Sequence, residues 1–73
     1  MLLKEYKEKN NLTLQELANL FGVSGQNPRQ TTRRWVEGLR IPRLNYMENI
    51  EKATDGKVKF EDLVNGYKKR QNS

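Results

Sequence analysis

The sequence predicts an all-α fold, a compact bundle of about five short helices with one lengthened turn near its middle. Three observations lead there. Alternation of apolar and polar residues with period two is nearly absent, so a half-buried strand has no pattern to form on. Apolar residues recur instead at helical spacing, as in Leu14, Leu17, Ala18 and Phe21. Glycine and proline then punctuate the chain at Gly22, Pro28, Gly38, Pro42 and Gly56, where helices must begin or stop. With 73 residues, 34% of them hydrophobic, the chain fills one small core, and a stability of about 4–11 kcal/mol follows from typical per-residue values. Residues 1–66 are read as a single domain, and 67–73 as a basic, flexible C-terminal tail without an apolar anchor.

A first helix is expected over 2–10, with Leu2, Leu3 and Tyr6 as its apolar side. The second start is the clearest local signal. Thr13-Leu14-Gln15-Glu16 forms a capping box, in which Thr13 accepts from the Glu16 amide and Glu16 reaches back to Thr13. Leu12 and Leu17 occupy the positions of a hydrophobic staple, and Gly22 ends the helix in the left-handed region. Residues 23–27 form a loop, after which Asn27-Pro28 reads as N-cap and first helical residue. The third helix spans 28–37, closed by Gly38. Beyond the Ile41-Pro42 break, Asn45 is the expected cap of a fourth helix whose inner side carries Leu44, Met47, Ile50 and Ala53. Asp55-Gly56 stops it, Val58 and Phe60 return to the core, and a short last helix or turn covers 61–66.

Charge is unevenly placed. The chain carries 14 Lys plus Arg against 9 Asp plus Glu, a net +5, which favours a polyanionic partner. Residues 1–24 are neutral, with three Lys and three Glu. Residues 25–43 hold Arg29, Arg33, Arg34, Arg40 and Arg43 against Glu37 alone, and the C-terminal stretch adds Lys68, Lys69 and Arg70. The middle excess is entirely arginine, whose planar fork fits phosphates and guanine edges. Cysteine and histidine are both absent, which removes disulfides, thiolate metal sites, thiol nucleophiles and the usual neutral-pH base. No metal or cofactor is expected, nor a small-molecule substrate. No apolar run approaches the roughly 20 residues of a membrane helix, and no secretory leader follows Met1. An intracellular, cytoplasmic binding module is the expected class, not an enzyme.

The third helix carries the functional signal. Spaced every 100° or so, Arg29, Gln30, Arg33, Arg34 and Glu37 share one arc, while Pro28, Thr32, Trp35, Val36 and Leu39 share the other, with Thr31 at the margin. A helix seated in a major groove needs this division, an apolar back and long donors in front. Arginine pairs with guanine O6 and N7, glutamine with adenine N6 and N7, and the Thr31 methyl suits a thymine methyl.

Leu12-Thr13 through Leu17-Ala18, then Gly22-Val23-Ser24, Arg34-Trp35-Val36-Glu37-Gly38 and Arg40-Ile41-Pro42 together resemble the Cro/CI-type helix-turn-helix of phage and bacterial repressors. Asn49 through Val58, followed by Glu61-Asp62-Leu63, is similar to the Cro-like, YdaS-type regulators. The resemblance implies a five-helix, sequence-specific DNA-binding domain, often a homodimer on a palindromic operator and often a repressor of transcription. It puts the base-reading slots on Arg29, Gln30, Arg33 and Arg34, and phosphate contacts on Arg40 and Arg43. Two departures stand out. Trp35 lies thirteen positions after Gly22, a longer turn than the family pattern, with the extra residues at Ser24-Gly25-Gln26-Asn27; Gln26 or Asn27 is thereby offered to the phosphate backbone. The family's phosphate-holding Gln after the second helix cap is replaced by Leu14, leaving Gln15 as its substitute.

A protein-interaction module, such as an antitoxin-like partner of another regulator, is the alternative, suggested by the Tyr67 region and the basic tail. RNA binding lacks stacking aromatics on the basic face, and no carboxylate pair is placed for catalysis. Phe60, Leu63, Val64 and Tyr67 are the expected self-association surface.

Overall fold

A computed structural model of the chain describes residues 1–71; Asn72 and Ser73, the end of the expected tail, lie outside them. The fold is all-α, with α1 (Leu3–Lys9), α2 (Leu14–Phe21), α3 (Pro28–Val36), α4 (Leu44–Ala53) and α5 (Phe60–Gln71) and no strand among the described residues. α2 packs on both α3 and α4, while α1 and α5 contact each other and α3. The radius of gyration is 11.0 Å, matching the roughly 11 Å of a compact chain of this length.

Four helices stop in the same way. Asn11, Gly22, Gly38 and Asp55 all adopt positive φ, from 52° to 74°. In each case the amide of that residue and the next turn back onto carbonyls of the closing turn, as Gly38 to Trp35 and Leu39 to Arg34 at 2.8 Å. This is the Schellman arrangement, which satisfies carbonyls that have run out of helical partners. The capping box of α2 forms as expected: the Thr13 N–H donates to Glu16 Oε1 at 2.9 Å, and the Glu16 N–H donates to Thr13 Oγ1 at 3.1 Å.

Leu3, Leu17, Phe21, Trp35, Ile50, Val58 and Leu63 form the core, flanked by partly buried Tyr6, Leu12, Val23, Val36, Tyr46, Met47 and Ala53. Two polar side chains are buried with it. The Thr32 hydroxyl donates to the Pro28 carbonyl at 2.8 Å. Thr54 does more: its hydroxyl donates to the Ile50 carbonyl at 2.7 Å and accepts the Val58 N–H at 3.1 Å, closing α4 and fixing the entry to α5. Asn49 Nδ2 donates to the Phe21 carbonyl at 3.1 Å, tying α4 to the end of α2.

Four expectations are corrected. α4 begins at Leu44 with Arg43, not Asn45, at the cap position and without a side-chain bond. Leu44 is 68% exposed, because it stands six residues before buried Ile50, about 240° around the helix; Tyr46 takes its place on the inner side. Phe60 is 53% exposed, since it opens α5 beyond the point where Val58 and Leu63 reach the core. The last helix does not stop at residue 66 but runs to Gln71. Glu61 and Asp62 in its first turn and Lys68, Lys69 and Arg70 in its last complement the helix dipole at both ends, so the basic stretch expected as a tail is helical through Gln71.

Candidate nucleic-acid interface

α3 is held by its back. Trp35 is 8% exposed and Thr32 fully buried, and the Trp35 ring meets Tyr46 of α4 with centroids 5.2 Å apart at a tilt of 47°, a favourable aromatic geometry. Pro28 occupies the first helical position, where its missing N–H costs nothing. Asn27 stands at the cap but makes no side-chain cap bond. Its carbonyl instead accepts both the N–H and the hydroxyl of Thr31, each at 3.1 Å, so Thr31 closes the first turn.

The opposite face is presented to solvent. Arg29, Arg33 and Arg34 are exposed, while Gln30 and Thr31 are half-buried at its margin. Arg33 is the one base-reading candidate given an ion pair: its Nε donates to Glu37 Oε2 at 3.3 Å, one turn on. A surface pair of this kind contributes only about 0.3–0.5 kcal/mol, but it anchors the stem of Arg33 and leaves its terminal nitrogens for other acceptors. The sequence placed Glu37 in the basic arc without this role, although the spacing of four is its signal.

The remaining candidates surround α3 along the chain. Arg40 and Arg43 are exposed in the segment that leads to α4, and the Arg40 and Leu39 amides share the Arg34 carbonyl at 3.3 and 2.8 Å, which fixes this segment to the end of α3. Gln26 and Asn27 are exposed in the loop before α3. Gln15 is exposed on α2, where its Nε2 donates to Asn19 Oδ1 at 3.1 Å. Ser24-Gly25-Gln26-Asn27 therefore forms an open, solvent-facing linker between α2 and α3. Tyr46, which braces the only tryptophan, was not singled out from sequence; its spacing of four from Ile50 was the available signal.

Among the described residues no group of three His, Cys, Asp or Glu is placed to hold a metal ion. No helix among them is long and apolar enough to cross a membrane. No family model, curated protein or solved structure matches the chain.

Proposed function

We propose that this chain is a sequence-specific regulator of transcription that binds double-stranded DNA, a Cro-like repressor acting in the cytoplasm without catalysis. The observation that carries this reading is the division of α3: Thr32 and Trp35 buried behind, Arg29, Arg33 and Arg34 exposed in front. In this reading α2 and α3 form a helix-turn-helix with a long turn, and α3 lies in the major groove. Arg29, Gln30, Arg33 and Arg34 read base edges, Thr31 offers its methyl, and Arg40, Arg43, Gln26, Asn27 and Gln15 meet phosphates. One such helix covers few base pairs, so two copies on an inverted repeat are part of the proposal. A body of 29 × 26 × 24 Å fits half-sites about 34 Å apart.

Selection from random duplex DNA by the purified protein, at about 150 mM salt, tests the reading. An enriched inverted repeat supports it. Arg29→Ala or Gln30→Ala then lowers affinity by about 1–3 kcal/mol at one base position, whereas Arg40→Ala or Arg43→Ala weakens all sequences alike and flattens the salt slope by about one unit. Identical behaviour of the two classes overturns the division of roles. Absence of enrichment, with nanomolar capture of a protein partner instead, replaces the reading with the interaction module.

A further inference from the structure

Beside α3 a groove opens between α1 and the last turns of α5. Lys4, Lys7, Arg33, Lys69 and Arg70 line it. So do Leu2, Leu3, Leu14, Trp35, Val36 and Leu63, but none of these six is exposed, whereas every one of the cations except half-buried Lys7 is. An amphipathic peptide binds by covering exposed apolar area, and here Leu3, Trp35 and Leu63 are already buried and Leu2, Leu14 and Val36 partly so. The side chains that stand furthest into solvent around the groove are mostly cations. Three carboxylates also line it, Glu8, Glu37 and Asp62. Glu37 is held by Arg33 and Asp62 by the Met1 amine at 3.1 Å, which leaves Glu8 against the lysines.

We propose that this groove is a second phosphate-contacting surface for the same DNA duplex, continuous with the α3 face through Arg33, which belongs to both. The inference rests on the reading of α3 given above. A major groove about 12 Å wide closely matches a helix of about 10–12 Å diameter, so both phosphodiester walls lie against the flanks of α3. Arg33 stands on the flank that opens toward α1 and α5. Lys4 and Lys7, three apart on α1, and Lys69 on the last turn of α5 carry cations to that flank. The extension of α5 to Gln71 fixes the backbone from which Lys69 projects, which lowers the entropy lost on binding.

The test compares two triple variants that each remove three positive charges. Lys4→Gln/Lys7→Gln/Lys69→Gln alters the groove, and Lys9→Gln/Lys52→Gln/Lys57→Gln alters exposed lysines outside it. Both retain aliphatic stems and helix propensity, and circular dichroism melts verify folding. Binding to a duplex of about three helical turns is measured over a range of salt concentrations. The groove variant is expected to flatten the slope of log K against log salt by about one unit for each lysine that meets a phosphate, two or more in total, equally on specific and scrambled duplexes. The control changes it by less than one. A groove variant that flattens the slope no more than the control overturns the proposal. If Arg29→Ala still weakens binding in that case, the α3 reading stands and only the groove is lost. If the wild-type protein binds no duplex, the α3 reading itself fails and takes the groove with it.

Discussion

Thr54 shows how much one polar side chain can organise. It is 2% exposed, yet its hydroxyl serves the Ile50 carbonyl and the Val58 N–H together. Replacing it with the isosteric valine leaves the Val58 N–H buried without its acceptor, and such a group costs about 1–3 kcal/mol. Thr54→Val is therefore expected to lower the urea midpoint by a corresponding amount, while Thr54→Ser, which keeps the hydroxyl, retains most of the stability. Equal losses in the two variants would mean that the methyl, not the hydroxyl, matters here. Among the described residues no buried side-chain nitrogen or oxygen lacks a partner, and the Thr54 hydroxyl belongs to that satisfied set. The composition of the chain gives no hint of this role, because a threonine near a helix end reads first as a cap or a turn residue.

At the level of helices, the turn that closes α3 meets α5 through two glycines. A Cβ built on Gly38 would stand 2.6 Å from the Gly66 carbonyl oxygen, and Gly38 also has φ +74°. Left-handed strain of about 1–2 kcal/mol then adds to overpacking of about 1–3 kcal/mol. Gly38→Ala is expected to destabilise by roughly 2–5 kcal/mol, measured by chemical denaturation; a loss below 1 kcal/mol would show that α5 moves aside freely. Gly38 was legible as a helix stop, but its contact with Gly66 was not. The same contrast runs through the molecule. Capping boxes and glycine stops are written in windows of three or four residues, so both ends of α2, the Pro28 start of α3 and its Gly38 stop are visible in sequence. The start of α4 at Leu44 and the stop at Asn11 carry no such signal. A stripe read at spacings of three drifts by about 60° at each step, so Leu44, two such steps before Ile50, falls off the inner face that Tyr46, four before Ile50, shares. Phe60 reads as core beside Val58 because no local signal marks it as the opening residue of α5. Contacts such as Asn49 with the Phe21 carbonyl, 28 positions apart, leave no local trace. The arginine face of α3 was legible because it is periodic within one helix; the basic groove was not, because it assembles α1, α3 and α5.

For the whole molecule, the first residue is fastened to the last helix. Burial raises the Asp62 pKa, but the Lys59 N–H it accepts, the Met1 amine beside it and the Lys59 charge together hold the carboxyl below its ordinary value of 3.8. The folded state thus binds this proton less readily than the unfolded chain. The stabilisation is fully present above the ordinary value and is lost as pH falls through the depressed folded value. The stability gap between wild type and Asp62→Asn should hold steady from neutral pH down to about pH 5 and then shrink on further acidification. A gap that stays constant on acidification would remove Asp62 as a source of acid sensitivity.

The four left-handed stops have a further consequence, for how this architecture tolerates change. Because α2 ends at its own Gly22 and α3 starts at its own Asn27-Pro28, neither helix depends on the residues between them for its boundaries. The solvent-facing linker is then a spacer outside the packed frame: lengthening such a loop costs little, about 0.6 kcal/mol for each doubling. Insertions at Ser24-Gly25-Gln26 can bulge into solvent while both helices keep their register and their packed backs. The direction of the arginine face is set instead by buried Thr32 and Trp35, so linker length can vary without re-aiming it and without a compensating change in the core.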